Sequence, residues 1–132
     1  MVDIKWVAVL YGLVTSFVIG LLSGIGLPFT DATLPVVGAG LTGLVAGGVA
    51  GYFAHQGLGG GALHGLLATS IGGLVVALIL LVIGTFAAGI FGFSAGVAVL
   101  LWVIAHGIPG AVGGAIGGVL GPEETTVGQP VG

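Results

Sequence analysis

The sequence predicts an all-α integral membrane protein, a four-helix bundle of two tandem transmembrane hairpins joined by glycine-zipper packing. Three observations carry that expectation. Of the 132 residues, 57% are hydrophobic and only 4% are charged, whereas a soluble domain carries about a quarter charged residues. The apolar residues fall into four runs, each long enough to supply the about 20 residues that cross a hydrocarbon core of about 30 Å. Glycines also recur every fourth residue, at Gly43, Gly47 and Gly51 in TGLVAGGVAGY and at Gly110, Gly114 and Gly118 in PGAVGGAIGGV. On a helix that spacing lines them along one face, where missing side chains let another backbone come close.

The elements follow in order. Asp3 and Lys5 are the charges of a short polar start, and Trp6 to Leu27 is then apolar except for small residues. A cleaved signal peptide is the competing reading, but the run is long and no A-x-A site follows it. Residues 28–33, PFTDAT, form a turn in which Thr33 suits an N-cap, and Pro35 suits the first helical turn, where its missing N–H does no harm. The second span carries the first glycine stripe. His55 to Gly61, HQGLGGG, reads as a break, because four glycines in seven residues lower helix propensity sharply. The third span ends in the aliphatic LVVALILLVIG, Gly89 to Gly92 form a tight connection, and Gly121-Pro122 stops the fourth. Residues 1–120 thus form one membrane domain with spans about 4–27, 34–54, 62–88 and 93–120, and 121–132 form a polar, disordered tail.

Four spans place both termini on one side. Lys5 is the only basic residue of the chain, and the positive-inside tendency puts that side in the cytoplasm of a cell membrane. Asp31 then faces outward, and Trp6 and Tyr52 sit near the cytoplasmic interface.

An internal repeat is visible. YGLVTSFVIGL (11–21) aligns with HGLLATSIGGL (64–74), and TGLVAGGVAGYFA (42–54) with PGAVGGAIGGVLG (109–121). Five glycine pairs coincide: Gly12/Gly65, Gly20/Gly73, Gly43/Gly110, Gly47/Gly114 and Gly51/Gly118. The two hairpins would then be related by an axis along the membrane normal. These ten glycines are the expected helix-packing positions, with Ser16, Gly24 and Thr69 completing the stripes. Lipid provides no hydrophobic drive for helices to associate, so close contact must do it. Packing within one bundle is the simpler role. Gly113, Gly117 and Gly121 form a second stripe on the last helix, which leaves one stripe to spare for a partner.

The stretch GGVAGYFAHQGLGGGALHGLLA, a glycine-rich helix followed by a glycine loop and then HG opening the next span, resembles a family of small archaeal four-span membrane proteins. That family is catalogued as domain of unknown function 5518. The resemblance covers the chain up to Leu120, rests on composition, and implies an integral membrane protein with no assigned activity, cofactor or catalytic residue.

Chemistry-bearing residues are few. The absence of Cys excludes disulfides and thiolate sites, and one Lys excludes nucleic acid as a partner. His106 falls midway along the fourth span, where an ionisable group is costly and a functional candidate by default. Pro109 cannot donate to the carbonyl of Ala105, so the two form a candidate intramembrane polar site able to bind an ion or relay a proton. The bland alternative, a neutral His106 bonded to a carbonyl or hydroxyl of a neighbouring helix, is favoured, since no charged residue accompanies it. His55 and His64 flank the glycine loop, and with Glu123 or Glu124 could hold a metal, but their spacing matches no known site. HQGLGGG lacks the P-loop lysine. The expected role is therefore non-enzymatic, without cofactor or metal. The protein would be a small component of the lipid bilayer that packs with itself or with a membrane protein partner. The alternative is a small oligomeric channel or transporter with His106 in the membrane interior.

Overall fold

The computed structural model describes residues 2–23 and 35–122. Every regular element among them is a helix: α1 (Trp6–Ser23), α2 (Pro35–Ala54), α3 (Gly57–Ala88) and α4 (Ile90–Leu120). A single π turn, Leu80–Gly84, lies within α3. All four helices are long and apolar enough to cross a membrane. Without water, backbone N–H and C=O groups must be satisfied inside the segment, which makes the helix obligatory there. Hydroxyls follow the same logic. Thr15, Ser16, Thr69 and Ser94 donate to the carbonyls of Tyr11, Gly12, Gly65 and Ile90, four residues back, at 2.7–3.0 Å.

That requirement also moves two boundaries. Helix α3 begins at Gly57, inside the stretch whose glycines predict a loop through Gly61. Helix α4 begins at Ile90, three residues before the expected start of its span. The connections are correspondingly short. His55 and Gln56 link α2 to α3, with His55 in the left-handed region at φ 53° and Gly57 at φ 64°. Gly89, at φ 57°, alone joins α3 to α4. Burial of Gly60 and Gly61 against neighbouring residues outweighs the glycine penalty of about 1 kcal/mol per residue. The loop expected at residues 28–33, with Asp31 and Thr33, the end of the first span at 24–27, and the tail beyond Pro122 lie outside the described residues.

Burial runs opposite to that of a soluble protein. Among the described residues the buried apolar side chains are almost all alanine (Ala8, Ala39, Ala46, Ala50, Ala54, Ala68, Ala77), with Val9 and Val103 the only larger ones. Phenylalanines point outward, Phe86 at 90% and Phe91 at 81% exposure. Lipid accepts a phenyl ring as readily as a protein interior does, so what selects the interior is smallness.

The glycines show what that smallness permits. A Cβ placed on Gly47 would lie 2.8 Å from the Cα of Gly110, and one on Gly51 would lie 2.7 Å from that of Gly114. From α3, a Cβ on Gly65 would lie 2.7 Å from the Cα of Gly114, and one on Gly61 equally close to that of Gly118. Gly43 is looser, with Pro109 Cβ at 3.2 Å, and Gly12 would meet Ala46 and Ala68 at 2.7 Å. Gly110 and Gly114 therefore sit where three backbones converge. Gly73 abuts only the Val103 side chain. Gly20 differs from expectation: no described residue lies within 4 Å of a Cβ there.

The second stripe of α4 is also occupied internally. A Cβ on Gly113 would lie 2.8 Å from the Cα of Leu44, and one on Gly117 would lie 2.8 Å from the carbonyl carbon of Gly48. Both rows of α4 are thus spent within the chain, and the stripe expected to be spare packs against α2.

The helices form a rhombus. The α3–α4 and α2–α4 pairs make the most extensive contacts, α2 also touches α3, and α1 lies against α2 and α3. Among the described residues α1 and α4 do not touch. A two-fold axis exchanging the hairpins would convert the α2–α3 contact into an α1–α4 contact, so the expected symmetry is broken.

Replacing Gly47 or Gly117 by Leu is expected to destabilise the folded protein in detergent by at least the upper end of the about 1–3 kcal/mol that overpacking costs. Gly20→Ala is expected to be neutral or stabilising by up to about 1 kcal/mol, the helix-propensity gain. Thermal unfolding followed by circular dichroism separates the two classes, and a folded Gly117→Leu variant would contradict the α2–α4 interface described here.

Candidate functional site

Three histidines carry the chemistry of the described residues, and each has a different setting. His106 lies on α4, half-buried, one turn after Trp102. Its Nδ1 is 2.9 Å from the Trp102 carbonyl oxygen, and its ring packs on the indole with centroids 4.4 Å apart. A carbonyl can only accept, so Nδ1 donates this bond, and in the neutral ring Nε2 is an acceptor. The bond is made within α4, where the sequence reading favours a carbonyl or hydroxyl on a neighbouring helix.

His106 and Pro109 line a recess of about 170 Å³ together with Ala105 and Trp102 of α4 and Ala39 and Gly40 of α2. Pro109 has no N–H for the carbonyl of Ala105, so the lining residues include two acceptors without a helical donor, that carbonyl and the imidazole Nε2. Such a pair can hold a water molecule or take up a proton. The lining holds no second titratable residue to pass the proton on. Two larger recesses, of about 650 Å³ between α1 and α3 and about 470 Å³ between α2 and α4, are lined mainly by aliphatic and aromatic side chains and glycine.

His64, in the second turn of α3, is fully buried at 0% exposure. Its Nδ1 lies 2.7 Å from the carbonyl oxygen of Gly60, and its Nε2 accepts the backbone N–H of Lys5 at 2.8 Å. One nitrogen donates and the other accepts, which defines a neutral ring with its proton on Nδ1. Beside it, Gln56 Nε2 donates to the carbonyl oxygen of Asp3 at 2.6 Å.

Both nitrogens of His64 are thus committed, and none is left for a metal. His55 stands apart in the linker, with its ring 6.4 Å from that of Tyr52. Among the described residues no group of three histidine or acidic side chains is placed to hold a metal ion. Glu123 and Glu124, weighed with these histidines in the sequence, lie outside the described residues.

Over residues 6–122 the chain matches the family described as Family of unknown function (DUF5518). The chain belongs to this family. No curated protein and no solved structure matches it. Membership in DUF5518 brings no functional residue with it, so the site has to be read from geometry alone.

Read that way, the most constrained polar side chain among the described residues of this DUF5518 member is His64, fully buried with both ring nitrogens bonded, where the sequence offers it only as a loop-flanking metal candidate. The one local signal is Gly60 and Gly61, four and three residues before it, which leave room for an imidazole to fold back on its own helix. Its long-range partner, the amide of Lys5, leaves no trace in a sequence pattern, because any residue but proline supplies one.

Removal of the two rings is therefore expected to differ in effect. His64→Leu removes the imidazole acceptor of the part-buried Lys5 N–H and should cost about 1–3 kcal/mol, whereas His106→Leu breaks only a bond within α4 and should change stability by less than about 1 kcal/mol. Chemical or thermal unfolding in detergent measures both, and equal losses would show that the His64 bonds carry no special weight.

Proposed function

We propose that this protein is a non-enzymatic structural component of a cell membrane, a rigid four-helix unit that assembles with a further copy of itself or with a membrane protein partner. The observation that supports this is the backbone-to-backbone interlock of α2, α3 and α4 at Gly47, Gly51, Gly61, Gly65, Gly110 and Gly114. A bundle held at that distance has little freedom to open, which suits a scaffold better than a transporter that must alternate between states. Glycine-zipper packing is, in this reading, internal. Assembly uses the outward face of the α3–α4 hairpin, where Val82, Ile83, Phe86, Ile90 and Phe91 are all exposed. Lys5 supports a cytoplasmic location for the end that carries it, together with Gly121 packed against Tyr52 at that same end.

A second reading, a small channel or transporter built around His106, is favoured by one observation, the recess in which that ring stands with Pro109. Native mass spectrometry from mild detergent and flux into reconstituted liposomes distinguish the two. The structural reading expects a complex larger than one chain and no ion or proton flux under an imposed gradient. A strictly monomeric protein would overturn it, and a flux abolished by His106→Leu would establish the second reading in its place.

A further inference from the structure

We propose that His64 is a proton-operated latch that holds residues 2–5 against the bundle at neutral pH and releases them on acidification. The proposal concerns regulation of this end of the molecule and stands independently of the assembly proposed above.

The latch has three parts. The Lys5 amide donates to Nε2 of His64 on α3, the Asp3 carbonyl accepts from the Gln56 side chain, and the Lys5 carbonyl receives the N–H groups of Ala8 and Val9 at 3.0 and 3.3 Å. Lys5 is thus the joint between the start of α1 and the start of α3. Only the first of these bonds has an imidazole nitrogen as acceptor, which a proton converts into a donor. A proton taken up by His64 must bind at Nε2, because Nδ1 already carries one and gives it to Gly60. The acceptor for the Lys5 N–H then becomes a donor, and two N–H groups face each other at 2.8 Å. No rotation of the ring restores the bond, since both nitrogens of an imidazolium are donors. The cation would also be fully buried, so ejection of the segment, which admits water, is the accessible response.

Among the described residues the titratable groups around this end are Asp3 and Lys5 on the segment, Tyr11 on α1, Tyr52 on α2 and His55 in the linker. Tyr11 rests on Phe53 with ring centroids 4.8 Å apart, and His55 packs toward Tyr52. Among the described residues α4 contributes only His106, which stands beside Ala39 and Gly40 in the opposite half of α2. His64 is the one whose protonation directly removes a bond to the segment.

The chain contains no cysteine, so Val2→Cys provides a single attachment point for a spin label. In the full chain in lipid nanodiscs, the label is expected to be immobilised at about pH 8 and to gain a mobile component by about pH 4.5, a range that brackets ordinary imidazole titration. With His64→Gln added, the spectrum is expected to lose its pH dependence, while His55→Gln leaves that dependence intact. No mobile component in the otherwise unaltered chain, or the same transition with His64→Gln, would overturn the latch. Nitrogen-15 spectra of the unaltered histidine rings provide a check that needs no folded variant. His64 should be protonated at Nδ1 alone at the higher pH, and protonation at Nε2 there would likewise overturn it.

Discussion

Contact between bare helix backbones is the constraint from which most of this structure follows. In water, helices associate because burying leucine and phenylalanine releases solvent, and the interior fills with large side chains. In lipid that term nearly vanishes, and what remains is dispersion between close surfaces. A side chain holds two axes apart, while its absence lets two backbones meet. Gly110 and Gly114 meet the backbones of Gly47 and Gly51 from one side and of Gly65 and Gly61 from another. Large apolar residues are consequently free to face outward, as Phe86 and Phe91 do.

The same medium explains why glycine-rich stretches stay helical. Glycine is a poor helix former in water because the unfolded chain gains entropy and the backbone finds water to bond. Neither alternative is open to a segment in hydrocarbon, where an unpaired peptide group is far more costly than the loss of entropy. Helix α3 therefore starts at Gly57, and the breaks shrink to positions where a left-handed residue closes the chain, His55 with Gly57 at one end and Gly89 at the other. The hydroxyls of Thr15, Ser16, Thr69, Thr85 and Ser94 and the imidazoles of His64 and His106, each bonded to a carbonyl four residues back, answer to the same requirement.

The polar groups that remain gather at two depths. His106 stands in a recess within the span, bonded to its own helix, with an acceptor nitrogen and the proline-freed carbonyl of Ala105 among the lining residues. His64 stands at the end that carries Lys5, sealed from solvent and tied to a residue 59 positions away. The contrast lies in what each bond connects. A bond inside one helix leaves tertiary structure indifferent to protonation, while a bond between elements makes their association depend on it.

Composition and spacing were sufficient for the all-helical class, the four membrane-length spans, and the glycine rows at Gly43, Gly47, Gly51 and at Gly110, Gly114, Gly118 as features to examine. They were sufficient because the solvent imposes them: few charges, long apolar runs and a four-residue period have one physical outcome in a bilayer. Which face of each helix meets which neighbour was a different matter. Gly20 has the same spacing as Gly12 yet meets no described residue, and Gly117 has a partner in Gly48 although its stripe reads as spare. Glycine carries no side chain to bias the choice between two equivalent rows, so only the packing of the whole bundle decided it. The Lys5–His64 bond belongs to the same class, because a backbone amide is common to nearly every residue and its partner is chosen by geometry alone.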